Sequence, residues 1–107
     1  MKRFHIAFGV SDVEASAEDY SQRLGCLPDL LIPGEYVLWR TDAVNVSIRK
    51  VSYEEGTALR HLGWEDPLSP TFSVERDVNG ILWERVTADQ QAAEIRRAWP
   101  STSYHPK

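Results

Sequence analysis

Two histidines and a glutamate stand where short β-strands normally keep apolar side chains. In "RFHIAFGV", Phe4, Ile6, Phe8 and Val10 alternate with His5, Ala7 and Gly9, giving a bulky face and a thin one. In "TALRHLGWED", the same alternation puts Leu59, His61 and Gly63 on one face, again with an imidazole beside a glycine. In "ILWERVT", Glu84 shares a face with Leu82 and Val86, where a solvated carboxylate is out of place. Two imidazoles and a carboxylate on inward strand faces could hold a divalent metal and leave positions open for water or substrate. Glycine and alanine beside the histidines leave room for an ion and a ligand. Singly, each histidine is more often a hydrogen-bonded core residue and Glu84 a solvated one; their joint occurrence carries the metal reading. A ligating His61 would be neutral, with its second ring nitrogen oriented by a hydrogen bond. Protons would then compete with the cation through the imidazole range.

These residues need strands to hold them. A strand over residues 4–10 leads into "SDVEASAEDYSQRLG", where Val13, Ala17, Tyr20 and Leu24 recur at helical spacing. Ser11, three residues before Glu14, predicts a capping box, and Gly25 is placed to end the helix. "CLPDLLI" reads as an edge strand, since Pro28 cannot donate to a ladder. "EYVLWRT" and "VNVSIRK" follow as strands, with turns at Pro33-Gly34 and Asp42-Ala43. The first half is therefore β-α-β-β-β, its helix packed on one face of the sheet. The second half opens with an echo of the first: "HIAFGVSD" and "HLGWED" share His, Gly and Asp in the same order. "TFSVERD" and "ILWERVT" form a hairpin around Val78-Asn79-Gly80. Ala88, Ala92, Ile95 and Trp99 then predict a helix ended by Pro100, and the tail "STSYHPK" frays or docks on a neighbour.

With 107 residues, the chain fits one domain with one core. A net charge of −4 with scattered Lys and Arg argues against nucleic-acid binding. No apolar run is long enough to span a bilayer, and Ser11, Asp12 and Glu14 interrupt the start too early for a signal segment. A single cysteine, Cys26, excludes an internal disulfide and a Cys-rich zinc site, and suits a reducing cytoplasm. Cys26 itself reads as a small buried hydrophobe and His105 as a surface residue of the tail. There is no phosphate-binding glycine loop and no serine nucleophile elbow.

"MKRFHIAFGVSDVEASAEDYSQRLG", "HLGWE" and "DVNGILWERV" together resemble the glyoxalase/bleomycin-resistance/extradiol-dioxygenase superfamily, the vicinal oxygen chelate proteins. That resemblance implies paired βαβββ modules whose curled sheets enclose a metal. One ligand His would lie on the first strand of each module, and a Glu would follow a D-x-x-G turn in the last strand. His5, His61 and Glu84 match those positions, with Asp77 and Gly80 supplying the turn. "EYVLWRTDAVNVSIRK" and "RHLGWE" are most similar to the cadmium-inducible and organoarsenical-lyase branch, which implies a facial triad favouring Fe(II), with Zn, Ni or Mn as alternatives.

Three departures shape the expectation. The adjacent cysteine pair of the arsenical lyases is absent. Ser47 stands near the place of the fourth, acidic ligand of glyoxalase I enzymes. The five residues "DPLSP" leave no room for a helix after the "HLGWE" strand. The expected fold is thus α+β: a βαβββ module over residues 1–50 and a truncated second module over 58–99, with three strands and a C-terminal helix. A curled mixed sheet would surround a cleft within a single domain of residues 1–107. "HLGWE" should run parallel beside "ILWERVT", with "TFSVERD" antiparallel beyond it. Tyr36, Trp39 and Trp64 are candidate pocket walls, although the tryptophans read also as core. The resemblance implies a metal-dependent lyase or dioxygenase acting on a small molecule with vicinal oxygens. A non-catalytic binding protein of the bleomycin-resistance kind is the alternative. The reduced module, with an open edge and an apolar face, points to a homodimer.

Overall fold

Period-two alternation and strand register place His5, Ala7, His61, Gly63 and Glu84 on one face of a shared sheet. The computed structural model describes residues 1–107 and is α+β, with seven strands and two helices in one open mixed sheet. In chain order these are β1 (Arg3–Val10), α1 (Val13–Leu24), β2 (Leu30–Ile32), β3 (Tyr36–Arg40) and β4 (Val44–Lys50). β5 (Ala58–Glu65), β6 (Ser73–Arg76), β7 (Leu82–Val86) and α2 (Ala88–Ala98) complete the chain. The strand order is β2-β3-β4-β1-β5-β7-β6. β5 runs parallel to β7, and β6 lies antiparallel beyond it, as the short "DPLSP" link requires. The seam between the two halves is the antiparallel pair β1–β5. No helix is long and apolar enough to cross a membrane.

Each face of the β3–β4–β1 half has its own helix. On one side Val13 and Ala17 of α1 pack against Val10, Val37, Trp39, Val46 and Ile48. Trp39 is fully buried there, its indole N–H donating to Ser21 Oγ at 3.0 Å. On the other side Ile95 of α2 packs against Tyr36 and Leu38, and Trp99 stacks 4.8 Å from Tyr36. The tail is docked: Tyr104 joins this second cluster, and Arg96 donates to its carbonyl at 2.8 Å. The β5–β7–β6 half has no helix on its outer face. Phe4, Trp64 and Trp83 cover it, with Trp64 edge-on to Phe4 at 5.3 Å. The hairpin is pinned by Asp77, whose carboxylate accepts from Asn79 N, Ile81 N and Trp83 Nε1.

Four expectations are corrected. The N-cap of α1 is Asp12, whose carboxylate accepts from Ala15 N at 3.0 Å; Ser11 lies one residue outside, so its spacing to Glu14 forms no box. The "CLPDLLI" strand is confined to Leu30–Ile32, because Cys26 N is drawn back to Ser21 O in the helix cap. Cys26 is consequently exposed. Leu59 leaves the face of His61: Ala7 pairs with His61 but Phe8 with Leu59, so Arg60 is the extra residue of a β-bulge.

Gly63 explains how three strands come together tightly enough to share a site. It sits in register between His5 on β1 and Glu84 on β7. A Cβ built on it would lie 1.9 Å from the Glu84 carbonyl oxygen, a backbone atom that cannot swing away. Gly63→Ala should therefore push β7 off β5 and destabilise the protein by about 3 kcal/mol or more. Urea denaturation measures this; a loss under about 1 kcal/mol would show that the two strands are not held so closely.

Candidate metal centre

The register that joins β1, β5 and β7 also decides where their polar side chains meet. His5 lies opposite Gly63, and His61 lies opposite Ala7. Each imidazole thus faces a residue with almost no side chain, and the two rings lean toward one point. Their Nε2 atoms are 2.9 Å apart, and His61 Nε2 is 3.2 Å from Glu84 Oε1. Donor atoms of His5, His61 and Glu84 all lie within 4.8 Å of one another. The three residues form a group that could hold one metal ion.

A buried polar network stands behind His5, which is only 3% exposed. Its Nδ1 donates to Asn45 Oδ1 at 2.9 Å, an oxygen that can only accept. The Asn45 amide nitrogen donates to Glu65 Oε1 at 2.8 Å and to Gln91 Oε1 at 2.7 Å. Glu65 in turn accepts from Arg3 at 2.7 Å and from Arg40 at 2.7 and 3.0 Å. Burial pushes the Glu65 carboxyl up, but hydrogen bonds from Arg40 and Asn45 and the charges of Arg40 and Arg3 outweigh it and hold the group at about 2. With Nδ1 committed to Asn45, His5 turns its Nε2 lone pair toward His61 Nε2, 2.9 Å away. That is the state a metal ligand needs. The orienting hydrogen bond expected at His61 is found at His5 instead.

Burial lowers both imidazoles. For His5 it outweighs the help from Asn45; for His61, burial and then the neighbouring His5, Arg60 and Arg49 bring the value to about 3. Burial, then the Glu94 carboxylate, push Glu84 up to about 7 against the pull of Arg60. The 3.2 Å contact between His61 and Glu84 is therefore no ion pair at neutral pH, since His61 is uncharged. Neutral imidazoles facing a carboxyl group fit a divalent cation, which would satisfy all three sets of lone pairs.

A cavity of about 350 Å³ opens beside this group, between the sheet and α2. Tyr36 lines it, with its hydroxyl raised to about 12 chiefly by burial. Trp39 and Trp64 do not. Trp39 is buried under α1 on the opposite face, and Trp64, paired with Phe4, faces the same opposite side. Ser47 is in the cavity, and Glu94 of α2 lies across it. His105 is exposed in the tail. Sequence reasoning missed Asn45, Glu65, Gln91, Arg49 and Arg60. The signal for two of them was visible, because Asn45, Ser47 and Arg49 alternate along "VNVSIRK" as one polar face. Comparison with known proteins gives no match, either to a family model or to a curated sequence.

The competing proton sits on Glu84 rather than on the imidazoles. Metal affinity should rise about tenfold per pH unit up to about pH 7 and level off above it, as Glu84 gives up its proton. In Glu84→Gln the affinity should be lower and nearly independent of pH between about 5 and 7. Equilibrium dialysis against buffered Zn²⁺ checks both; an unchanged slope in the variant would return the competition to the histidines.

Proposed function

We propose that this protein binds a divalent metal through His5, His61 and Glu84 and uses it on a small molecule with neighbouring oxygens, in the manner of the vicinal oxygen chelate superfamily. The observation that carries this reading is the convergence of the three donor atoms beside a cavity. The edges of 2.9 and 3.2 Å are close to the roughly 3.0–3.4 Å between donors about 2.1 Å from a shared ion. Two imidazoles and one carboxylate with positions left open suit Fe(II), with Ni, Mn and Zn as alternatives. A bound cation of this kind supplies Lewis acidity and, with iron, a place for O₂.

The chain's own residues have limited proton chemistry to add. Tyr36 stays protonated and can only donate or orient at neutral pH. Glu84 is the one group in the cavity whose pKa lies near 7, and ligation would occupy its oxygen. Val86, Ile95 and Trp99 supply apolar walls that exclude water from one side. That scarcity of free acid–base groups favours a second reading, a metal-dependent binding protein without turnover. Substrate consumption by the metal-loaded protein separates the two.

Metal analysis of protein purified without chelator or affinity tag tests the central claim. His61→Ala should lose the metal while its melting temperature in EDTA stays within a few degrees of wild type. Equal metal content with a lower melting temperature would make His61 a purely structural residue, worth about 1–3 kcal/mol.

We further propose that two copies associate through the poorly covered half of the sheet. β6 is an exposed edge strand, and Leu68, Phe72 and Val74 beside or within it are exposed. Sedimentation at micromolar concentration should give a dimer, with an interface above about 1,000 Å². A monomer at that concentration would overturn the association.

A further inference from the structure

Six of the nine arginines in this protein are partnered. Arg3, Arg23, Arg40 and Arg85 form ion pairs with carboxylates. Arg76 and Arg96 donate to the carbonyls of Gly80 and Tyr104. Three remain, Arg49, Arg60 and Arg97, and all three line the cavity beside His5, His61 and Glu84. They arrive from three separate elements. Arg49 ends the polar face of β4 and lies over the Trp99 ring at 4.9 Å, which fixes its position without neutralising it. Arg60 is the extra residue of the β5 bulge, turned to the same side as His61. Arg97 comes from α2.

Guanidinium groups gathered without a carboxylate partner repel one another unless something else neutralises them. The two acids of the cavity, Glu84 and Glu94, leave the three arginines with at least one net positive charge, and a bound divalent cation would add to it. That surplus stands in a protein whose overall charge is −4. An anion is drawn to that surplus, and the guanidinium fork fits a carboxylate through paired hydrogen bonds.

We infer that the ligand of this cavity is a small carboxylic acid, its carboxylate held by Arg49, Arg60 and Arg97 while its neighbouring oxygens reach the metal centre. The inference rests on the metal reading given above and names the class of molecule which that site accepts. The bulge is then a specificity device: it lets β5 present His61 to the metal and Arg60 to the acid group from consecutive positions, which a regular strand cannot do.

Zinc-loaded protein tests this with two probes that share a chelating pair of oxygens, 3,4-dihydroxybenzoate and catechol. Calorimetry should show the acid binding about tenfold or more tighter than catechol in wild type. In Arg49→Gln/Arg60→Gln, zinc content should be unchanged, catechol affinity should stay within about twofold, and the preference for the acid should vanish. Equal affinities in wild type, no binding of either probe, or a preference that survives in the double variant would each overturn the inference while leaving the metal reading intact. If the double variant loses zinc, Arg97→Gln, exposed on α2, takes its place: a several-fold drop in preference supports the inference and no drop overturns it. Wild-type protein that takes up no zinc overturns the metal reading itself, an outcome read before either probe is added.

Discussion

The buried carboxylate of Glu65 is the joint on which both the sheet and the candidate metal site depend. It stands at the end of β5, yet accepts from Arg3 on β1, Arg40 on β3 and Asn45 on β4. A charge so enclosed is tolerable only when its lone pairs are saturated by donors, and removal of one partner typically costs about 3–5 kcal/mol. The arrangement therefore binds the seam between the two halves from the inside. It also reaches into the site. Because Glu65 is ionised, the Asn45 amide turns its nitrogen toward it and its oxygen toward His5, and that oxygen decides which ring nitrogen of His5 carries the proton. Stability and ligand readiness thus rest on one group that lies outside the His5, His61 and Glu84 donor set.

Much of the architecture can be read from alternation and turn chemistry. The His/Gly and His/Ala thin faces, the Asp77–Gly80 turn and the two helical periodicities all correspond to what the chain forms. The parity of "EYVLWRT" also held a warning about the pocket walls: Tyr36 and Trp39 are three residues apart and point to opposite faces of a strand. Trp64 next to Gly63 carries the same warning. Other features depend on partners distant in sequence. A bulge is defined by the strand opposite, so Arg60 cannot be distinguished from an ordinary alternating residue until Ala7 and Phe8 are paired with it. Likewise, Gln91 looks like one polar residue among several on α2. Its burial follows from docking over Asn45, which helical periodicity does not specify.

The placement of the two helices separates structural and chemical duties. α1 seals the face that holds Trp39 and the larger apolar cluster, and no titratable group of the site lies there. α2 covers the polar face only in part, through Ile95 and Trp99, and leaves the cavity between its charged side chains and the sheet. Neutral histidines, a raised glutamate and unpaired arginines all belong to that incompletely covered side. Desolvation is strong enough there to shift protonation, and the opening is wide enough to admit a small molecule.

His5 and His61 are 56 positions apart and meet only through the β1–β5 pairing. Glu84 joins them through a parallel pair, a connection that chains close slowly. The donor set therefore does not exist in any local fragment, and a cation has nothing to grip until the long-range topology is complete. Such an ion, once bound, could not template the fold or hasten its formation. It would act on the escape rate instead, raising the barrier to opening of strands already assembled, so that loaded molecules would be distinguished by their longevity rather than by how quickly they are made.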